Sequence, residues 1–155
     1  MAQDNELETA GRLLVIAVDR VIAAAEGFDA AALNWEPTPG ASTLSALCLH
    51  VLGMTRENVL THICRVAESH RVRAEEFSPS AETGVSLAAR WASLRPEVEA
   101  ALGALPPERL DDLRVHQTWG EVPARELLHR MVNHAYEHAG QAELTRQLFE
   151  ADRAG

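Results

Sequence analysis

Apolar residues recur every three or four positions through four segments of the chain, and proline and glycine interrupt the pattern between them. This spacing places the apolar side chains on one face of a helix. The four predicted helices run from Asp4 or Asn5 to about Glu26, from Ser42 or Thr43 to about Ser69 or His70, from about Glu82 to Leu105, and from Pro123 to about Phe149. Since each helix carries one apolar face, the sequence predicts an all-α, four-helix bundle.

The connections between the helices differ in kind. The first, Phe28 to Ser42, holds two prolines, a glycine and Trp35, which we expect to plug one end of the bundle rather than to line a pocket. After Pro106 a loop of roughly fifteen residues follows, including His116 and Trp119, and its length predicts that it crosses the bundle or covers a site. Neither a repeat nor an interdomain linker is visible, so we expect a single domain over residues 1–155.

Histidines interrupt the apolar faces of two helices. In the last helix the predicted core positions are Leu127, Met131, His134, His138, Gln141, Thr145 and Leu148. In the second helix they are Thr43, Leu47, His50, Met54, Glu57, Thr61 and Cys64. Packing alone favours leucine at such positions, because buried imidazoles need hydrogen-bond partners.

His134 and His138 lie one helical turn apart on the same face, so both rings can reach one metal ion, with His50 as the candidate third ligand. Three neutral imidazoles leave a coordination position open, as in catalytic zinc sites. The ligand set suits Zn²⁺ best and also Ni²⁺, Fe²⁺ or Mn²⁺. A hydrogen-bonded polar core, or three unrelated histidines, is the alternative.

The remaining histidines fit this site poorly. His62 and His129 are rotated well away from the two core faces, and His70 and His116 fall at a helix end and in a loop, from which His116 can reach over the mouth of the bundle. Residues His134 to His138 also match H-x-x-E-H, an inverted zinc-protease pattern. A peptidase needs a further ligand and a substantial domain beyond the motif, so we do not predict one.

The composition and charge of the chain exclude some classes of partner and indicate a cellular compartment. A net charge of −9 argues against nucleic acids and against an anionic membrane surface. Neither a membrane-spanning run nor a secretory pattern is visible, so a cytoplasmic protein is expected. Cys48 and Cys64 fall on one predicted helix, about 24 Å apart at 1.5 Å per residue, which predicts two reduced thiols and no disulfide.

Several of these features together resemble the DinB/YfiT-like superfamily of metal-binding four-helix bundles. They are the connector motif Trp35–Pro37, a Ser/Thr cap followed by His50, the motif His-x-x-x-His-x-Gly-Gln at His134–Gln141, and Arg146 soon after it. The resemblance spans essentially the whole chain. It implies that His50, His134 and His138 form the metal triad, with water completing the coordination sphere, in an up-down-down-up bundle that is often a homodimer.

The resemblance leaves two functional classes open. Characterised relatives include transferases and isomerases that use mycothiol, bacillithiol or glutathione, with the metal holding the thiolate. In such an enzyme, Glu57, Trp119, Gln141 and Arg146 are candidate pocket residues, and the partners are a small-molecule substrate and a thiol. The alternative is a non-catalytic metal-binding or stress-response protein. A cavity above the metal favours the enzyme, and a metal sealed by side chains favours the alternative.

Overall fold

The chain is mostly helical, with one small two-stranded sheet. The structure, a computed structural model, describes residues 2–155, with side chains from residue 6 onward. The helices are α1 (Ala2–Ala23), α2 (Ala30–Leu33), α3 (Leu44–Thr55), α4 (Arg73–Glu76), α5 (Gly84–Ala104) and α6 (Ala124–Ala154). A π-helical segment (Arg56–Ile63) continues α3, and a 3₁₀ segment (Pro107–Asp111) and strands β1 (Leu113–His116) and β2 (Gly120–Pro123) precede α6.

Local hydrogen bonds fix where the helices begin. The side chain of Thr43 caps α3 by accepting the amide of Ala46 at 3.1 Å, which confirms one of the two predicted caps. Thr83 and Ser86 form a reciprocal capping box at the start of α5, two residues after the predicted start. The predicted cap at Asp4 or Asn5 is wrong, because α1 already begins at Ala2.

One hydrophobic core is shared by α1, α3, α5 and α6. Along α6 the fully buried positions are Ala124, Leu127, Leu128, Met131, Ala135, Ala139 and Ala142. Leu127, Met131 and Thr145 of the predicted core line are buried, but in its middle the core lies one residue later: His134 and His138 are half-buried, and Gln141 is exposed. Leu148, the last residue of the predicted line, is 44% exposed. The buried alanines of α6 face the core, and the histidines beside them lie at its margin.

The second long helix is shorter than predicted, and its hydrogen-bonding pattern changes from α-helical to π-helical along its length. It becomes π-helical after Thr55 and ends at Ile63, and Arg65 then adopts a positive φ of 56°. The wider turn of a π-helix moves every later side chain around the axis, so the predicted face beyond Met54 is not continuous. Within the part of the chain that the structure describes, Cys48 and Cys64 are free thiols, as expected.

The predicted crossing loop before α6 contains a β-hairpin. Its strands pair antiparallel, with Arg114 opposite Val122 and His116 opposite Gly120, whose φ of 68° favours glycine. The buried Arg114 guanidinium donates to the carbonyl of Ile63 at 3.3 Å, which ties the hairpin to the end of the π-helical segment. A plain loop was therefore the wrong prediction.

The end of α6 carries an aromatic cluster. The ring of Phe149 lies 5.5 Å from that of Trp35 and 4.8 Å from that of Phe28, so the first connector covers this end of the helices as Trp35 predicted. Within residues 2–155, none of the helices is long and apolar enough to cross a bilayer.

Candidate metal centre

The structure brings His50 of α3 together with His134 and His138 of α6. Their ring nitrogens approach closely: Nε2 of His134 lies 3.4 Å from Nε2 of His50 and 3.1 Å from Nε2 of His138. One nitrogen from each ring falls within 4.8 Å of the others. Among the described residues this is the one group of histidine, cysteine and acidic side chains close enough to hold a metal ion.

The second nitrogen of each ring faces an acceptor. His50 Nδ1 lies 2.9 Å from Glu76 Oε2, and His138 Nδ1 lies 2.7 Å from Gln141 Oε1. His134 Nδ1 is 3.5 Å from a carboxylate oxygen of Glu137. An Nδ1–H that donates to such an oxygen leaves the lone pair of Nε2 free for a metal, which is the usual arrangement behind metal-bound histidine.

Two of the separations among the Nε2 atoms fit a small cation. Nitrogens bound tetrahedrally at 2.0–2.1 Å from Zn²⁺ are about 3.3–3.4 Å apart, close to the 3.4 Å and 3.1 Å that separate His134 Nε2 from those of His50 and His138. Three lone pairs facing one another at this distance repel unless a proton or a cation lies between them. The donor set therefore fits a divalent metal ion.

Burial keeps two of these imidazoles neutral. It lowers the pKa of His134 below the ordinary 6.5; Glu137 opposes this shift, and the nearby His50 adds to it. Burial also lowers the pKa of His138, with Gln141 opposing and His134 and His50 adding to the shift. Neutral imidazoles near pH 7 are the state that binds metal.

Behind His50 lies a buried ion pair that the sequence pattern did not reveal. Glu76 is 8% exposed and receives Arg71 Nε at 2.6 Å on Oε1 and Arg71 Nη2 at 2.8 Å on Oε2. Burial by itself raises the pKa of Glu76, but the hydrogen bonds from Arg71 and His50 outweigh it, and the pKa falls below 4.5. The carboxylate is therefore ionised beside His50.

The outer side of the triad is partly open. His50 is 6% exposed, whereas 36% of the His134 side chain is exposed to solvent. The ring of Phe77, itself 42% exposed, lies 5.3 Å from the ring of His50 and forms one wall. The nitrogens are thus reachable from solvent at the margin of the core.

The other predicted candidates lie apart from the triad nitrogens. Glu57 faces His62 at 3.4 Å, and His62 contacts the ring of His116, which stacks on Trp119 at 4.3 Å. These side chains form a second cluster, beneath the hairpin. Arg146 donates to backbone carbonyls at the end of α1 and to Glu150. Of the four candidate pocket residues, Gln141 alone touches the triad, through His138.

His129 and His70 are exposed, as the rotation argument and the position in the chain predicted. His129 pairs with Glu6 at 2.8 Å across the α1–α6 contact. Neither belongs to the triad.

Two grooves indent the surface, and none of the three histidines lines either of them. One, of about 530 Å³, lies between α1 and α5. The other, of about 690 Å³, is lined by apolar residues and Gly53 of α3 and by charged residues of the π-helical segment, α5 and the segment around α4, including Arg71 and Glu76. The second groove reaches the ion pair behind His50 but not the metal-facing nitrogens.

Comparison with known proteins supports the fold and the family. A crystal structure of a conserved protein from Enterococcus faecalis superposes with a TM-score of 0.71 over 93% of this chain and 96% of that one, at 18% identity, a similarity that shows the fold alone. No curated protein matches the sequence. The model of the DinB superfamily matches residues 13–142, a range that includes all three histidines. The chain belongs to the DinB superfamily.

Proposed function

We propose that His50, His134 and His138 bind one divalent metal ion, Zn²⁺ before Ni²⁺, Fe²⁺ or Mn²⁺, and that the protein is a metal-dependent transferase or isomerase acting with a low-molecular-weight thiol. The carrying observation is the convergence of three Nε2 atoms whose Nδ1 partners are already in place. Mycothiol, bacillithiol and glutathione are the candidate thiols, by resemblance to characterised relatives.

In this proposal the three imidazoles hold the ion and leave a position on the partly open side for a thiol or water. The bound metal supplies Lewis acidity, which lowers the pKa of that ligand. Glu76, Gln141 and Glu137 orient the imidazoles through their Nδ1 atoms. Phe77 shields the His50 side of the site.

We also propose the finer architecture and assembly that the resemblance implies. The four long helices form an up-down-down-up bundle in a single domain over residues 1–155, with the hairpin segment in the crossing connection, and two copies form a homodimer. A small-molecule substrate and a thiol are the proposed partners.

Metal analysis of protein purified without an affinity tag tests the binding step. We expect near-stoichiometric metal in the wild type and a large loss in His138→Ala, because two imidazoles hold an open site poorly. His129→Ala is the matched control: it removes an exposed histidine from the same helix and should retain the metal. Equal metal content in all three proteins would refute the proposed ligands.

Calorimetric titration of the metal-loaded protein with each of the three thiols tests the reaction class. We expect heat of binding with at least one thiol, and loss of that heat in His138→Ala. If metal-loaded protein binds none of the three thiols, the hypothesis of a thiol-dependent transferase or isomerase is rejected, and the proposed metal binding still stands.

The alternative is a non-catalytic metal-binding or stress-response protein. The observation in its favour is that neither described groove is lined by the triad. This alternative predicts tight metal binding with no thiol bound and no exchange of an external ligand, so the same titration separates the two classes.

A further inference from the structure

The chain between the two middle helices returns to α3 beside His50. We call residues Arg71–Phe77, which contain α4, the strap. The strap contributes the Glu76 carboxylate to His50 Nδ1 at 2.9 Å, the Arg71 guanidinium to both oxygens of Glu76, and the Phe77 ring at 5.3 Å from the His50 ring. All three contacts converge on one ligand of the triad.

Gly53 makes room for this convergence. It lies three residues after His50 on α3, where a Cβ would meet Glu76 Oε1 at 2.2 Å and Arg71 Nε at 3.3 Å. The first distance is far inside van der Waals contact. Any larger residue at position 53 would therefore displace the carboxylate from beneath the His50 ring.

The hydrogen bonds around Glu76 show which ring nitrogen of His50 carries the proton. Arg71 Nη2 lies 3.2 Å from His50 Nδ1, but both atoms also lie within 2.9 Å of the same Glu76 oxygen. A guanidinium nitrogen only donates, so the shared oxygen is the acceptor for both. His50 then carries its proton on Nδ1 and presents the Nε2 lone pair to His134 and His138.

We propose that Glu76 is a positioning residue for the metal centre. Arg71 holds its carboxylate, and Gly53 has no side chain that would clash with it. Glu76 fixes the tautomer and the ring orientation of His50, so metal affinity depends on a strap that itself contacts no metal. This inference rests on the proposed metal binding by the triad. Outer partners of this kind change metal affinity by about 10- to 100-fold in other metalloproteins.

A purely structural ion pair predicts something different. It would contribute to folding whether or not metal is present, and its loss would lower stability without a selective effect on the metal. The two roles are separated by measuring metal affinity and metal-free thermal stability in the same variants.

The first test compares Glu76→Gln with Glu75→Gln. Glu75 is the adjacent strap residue and is exposed, so its substitution removes the same charge without touching His50. Competition with a chromophoric zinc chelator should show about 10- to 100-fold weaker binding for Glu76→Gln and wild-type affinity for Glu75→Gln. Equal affinities for the two variants would overturn the positioning role and leave the proposed metal binding standing.

The second test uses Gly53→Ala, which removes no polar group. If the ion pair is purely structural, its displacement by the added methyl group lowers the metal-free stability and leaves zinc affinity unchanged. If Glu76 positions His50, the same displacement predicts a loss of zinc affinity similar to that of Glu76→Gln. Gly103→Ala in α5, where an added Cβ meets nothing within 4 Å, is the control. If Gly53→Ala binds zinc as tightly as Gly103→Ala does, the proposal fails, even where Glu76→Gln does not fold.

A metal-independent measurement separates failure of the inference from failure of the proposed function. Long-range ¹H–¹⁵N spectra of the metal-free protein should show His50 protonated on Nδ1 in the wild type and a mixture of tautomers in Glu76→Gln and Gly53→Ala. If the wild type binds no metal, the proposed function falls, and these spectra alone decide whether Glu76 positions His50. Identical His50 tautomers in all proteins would overturn it.

Discussion

A metal ion bound as proposed would compete with protons for the imidazole nitrogens, and burial disfavours the protonated form at His134 and His138. Both rings are half-buried, and the pKa of each is lowered below 6.5, mainly by burial. The unfolded chain therefore takes up protons before the folded chain does as the pH falls. The rings of His134 and His138 therefore stay neutral to a lower pH than free histidine does, and neutral imidazole is the form that binds metal.

We expect zinc affinity to fall as the pH is lowered, because protons then displace the metal from the imidazole nitrogens. The stability of the metal-free protein should fall in the same direction, since the unfolded state binds more protons below pH 6.5. Chelator competition and urea unfolding at a series of pH values measure the two effects. Metal-free stability that rises as the pH falls through the range in which histidine titrates would contradict the lowered pKa values of the two rings.

Burial acts on the two thiols in the opposite sense. It raises the pKa of Cys48 to about 12 and that of Cys64 to about 11, where Arg114 opposes the shift slightly. At pH 8 the ionised fraction of each thiol in the folded protein should therefore be about a hundredth, or less, of that of an ordinary cysteine. We expect slow labelling by a thiol-specific disulfide reagent in buffer and rapid labelling of both cysteines in urea. Fast labelling of the native protein would contradict this.

A site residue could be predicted from the sequence only where it interrupts a periodic apolar pattern. His50, His134 and His138 stand at or beside apolar helical positions, so spacing alone could pair them. Glu76 and Arg71 lie in a segment without periodicity, more than twenty residues after His50. Gly53 occupies an ordinary helical position, and its role appears once the strap is placed against it. The sequence held no signal for that contact.

Among the elements, the long helices were predictable and the segments that join them were not. Apolar periodicity and the caps locate α5 and the starts of α3 and α6 to within a few residues, but the second long helix ends well before the predicted Ser69 or His70. The π-helical segment could not be predicted from periodicity and caps, because its wider turn changes the backbone without any distinctive composition. The hairpin has strands of four residues with few β-branched positions, so its pairing depends on Gly120 and on the contact of Arg114 with Ile63.

That contact supplies a test at the scale of elements. Arg114→Met should destabilise the protein by about 1–3 kcal/mol, since it leaves the Ile63 carbonyl without its charged donor. Arg109→Met, which breaks an exposed ion pair with Asp112, should cost less than about 1 kcal/mol. Urea unfolding measures both. Equal stability of the two variants would show that the hairpin is not anchored through Arg114.

For the whole molecule, the triad links two long helices that are distant in sequence. His50 is contributed by α3 and the other two proposed ligands by α6, so an ion bound among them would cross-link helices that also share the hydrophobic core. A ligand that binds only the folded state stabilises that state by mass action. Metal binding should therefore be visible in global stability.

We expect free zinc at about 100 times its dissociation constant to stabilise the protein by about 2.7 kcal/mol. For a chain of this size the melting temperature should rise by about 5–10 °C. His50→Ala should lose the rise, and His129→Ala should keep it, because His129 lies outside the triad. A similar rise in both variants would indicate that zinc binds elsewhere.

The most direct measurement of the central claim is anomalous X-ray scattering from crystals of the zinc-loaded protein, recorded on both sides of the zinc absorption edge. We predict one strong peak at about 2.0–2.1 Å from Nε2 of His50, His134 and His138, with a non-protein ligand in the remaining position. A peak bound by other residues, or full zinc occupancy with the ring of His50 turned away from the other two, would contradict the account.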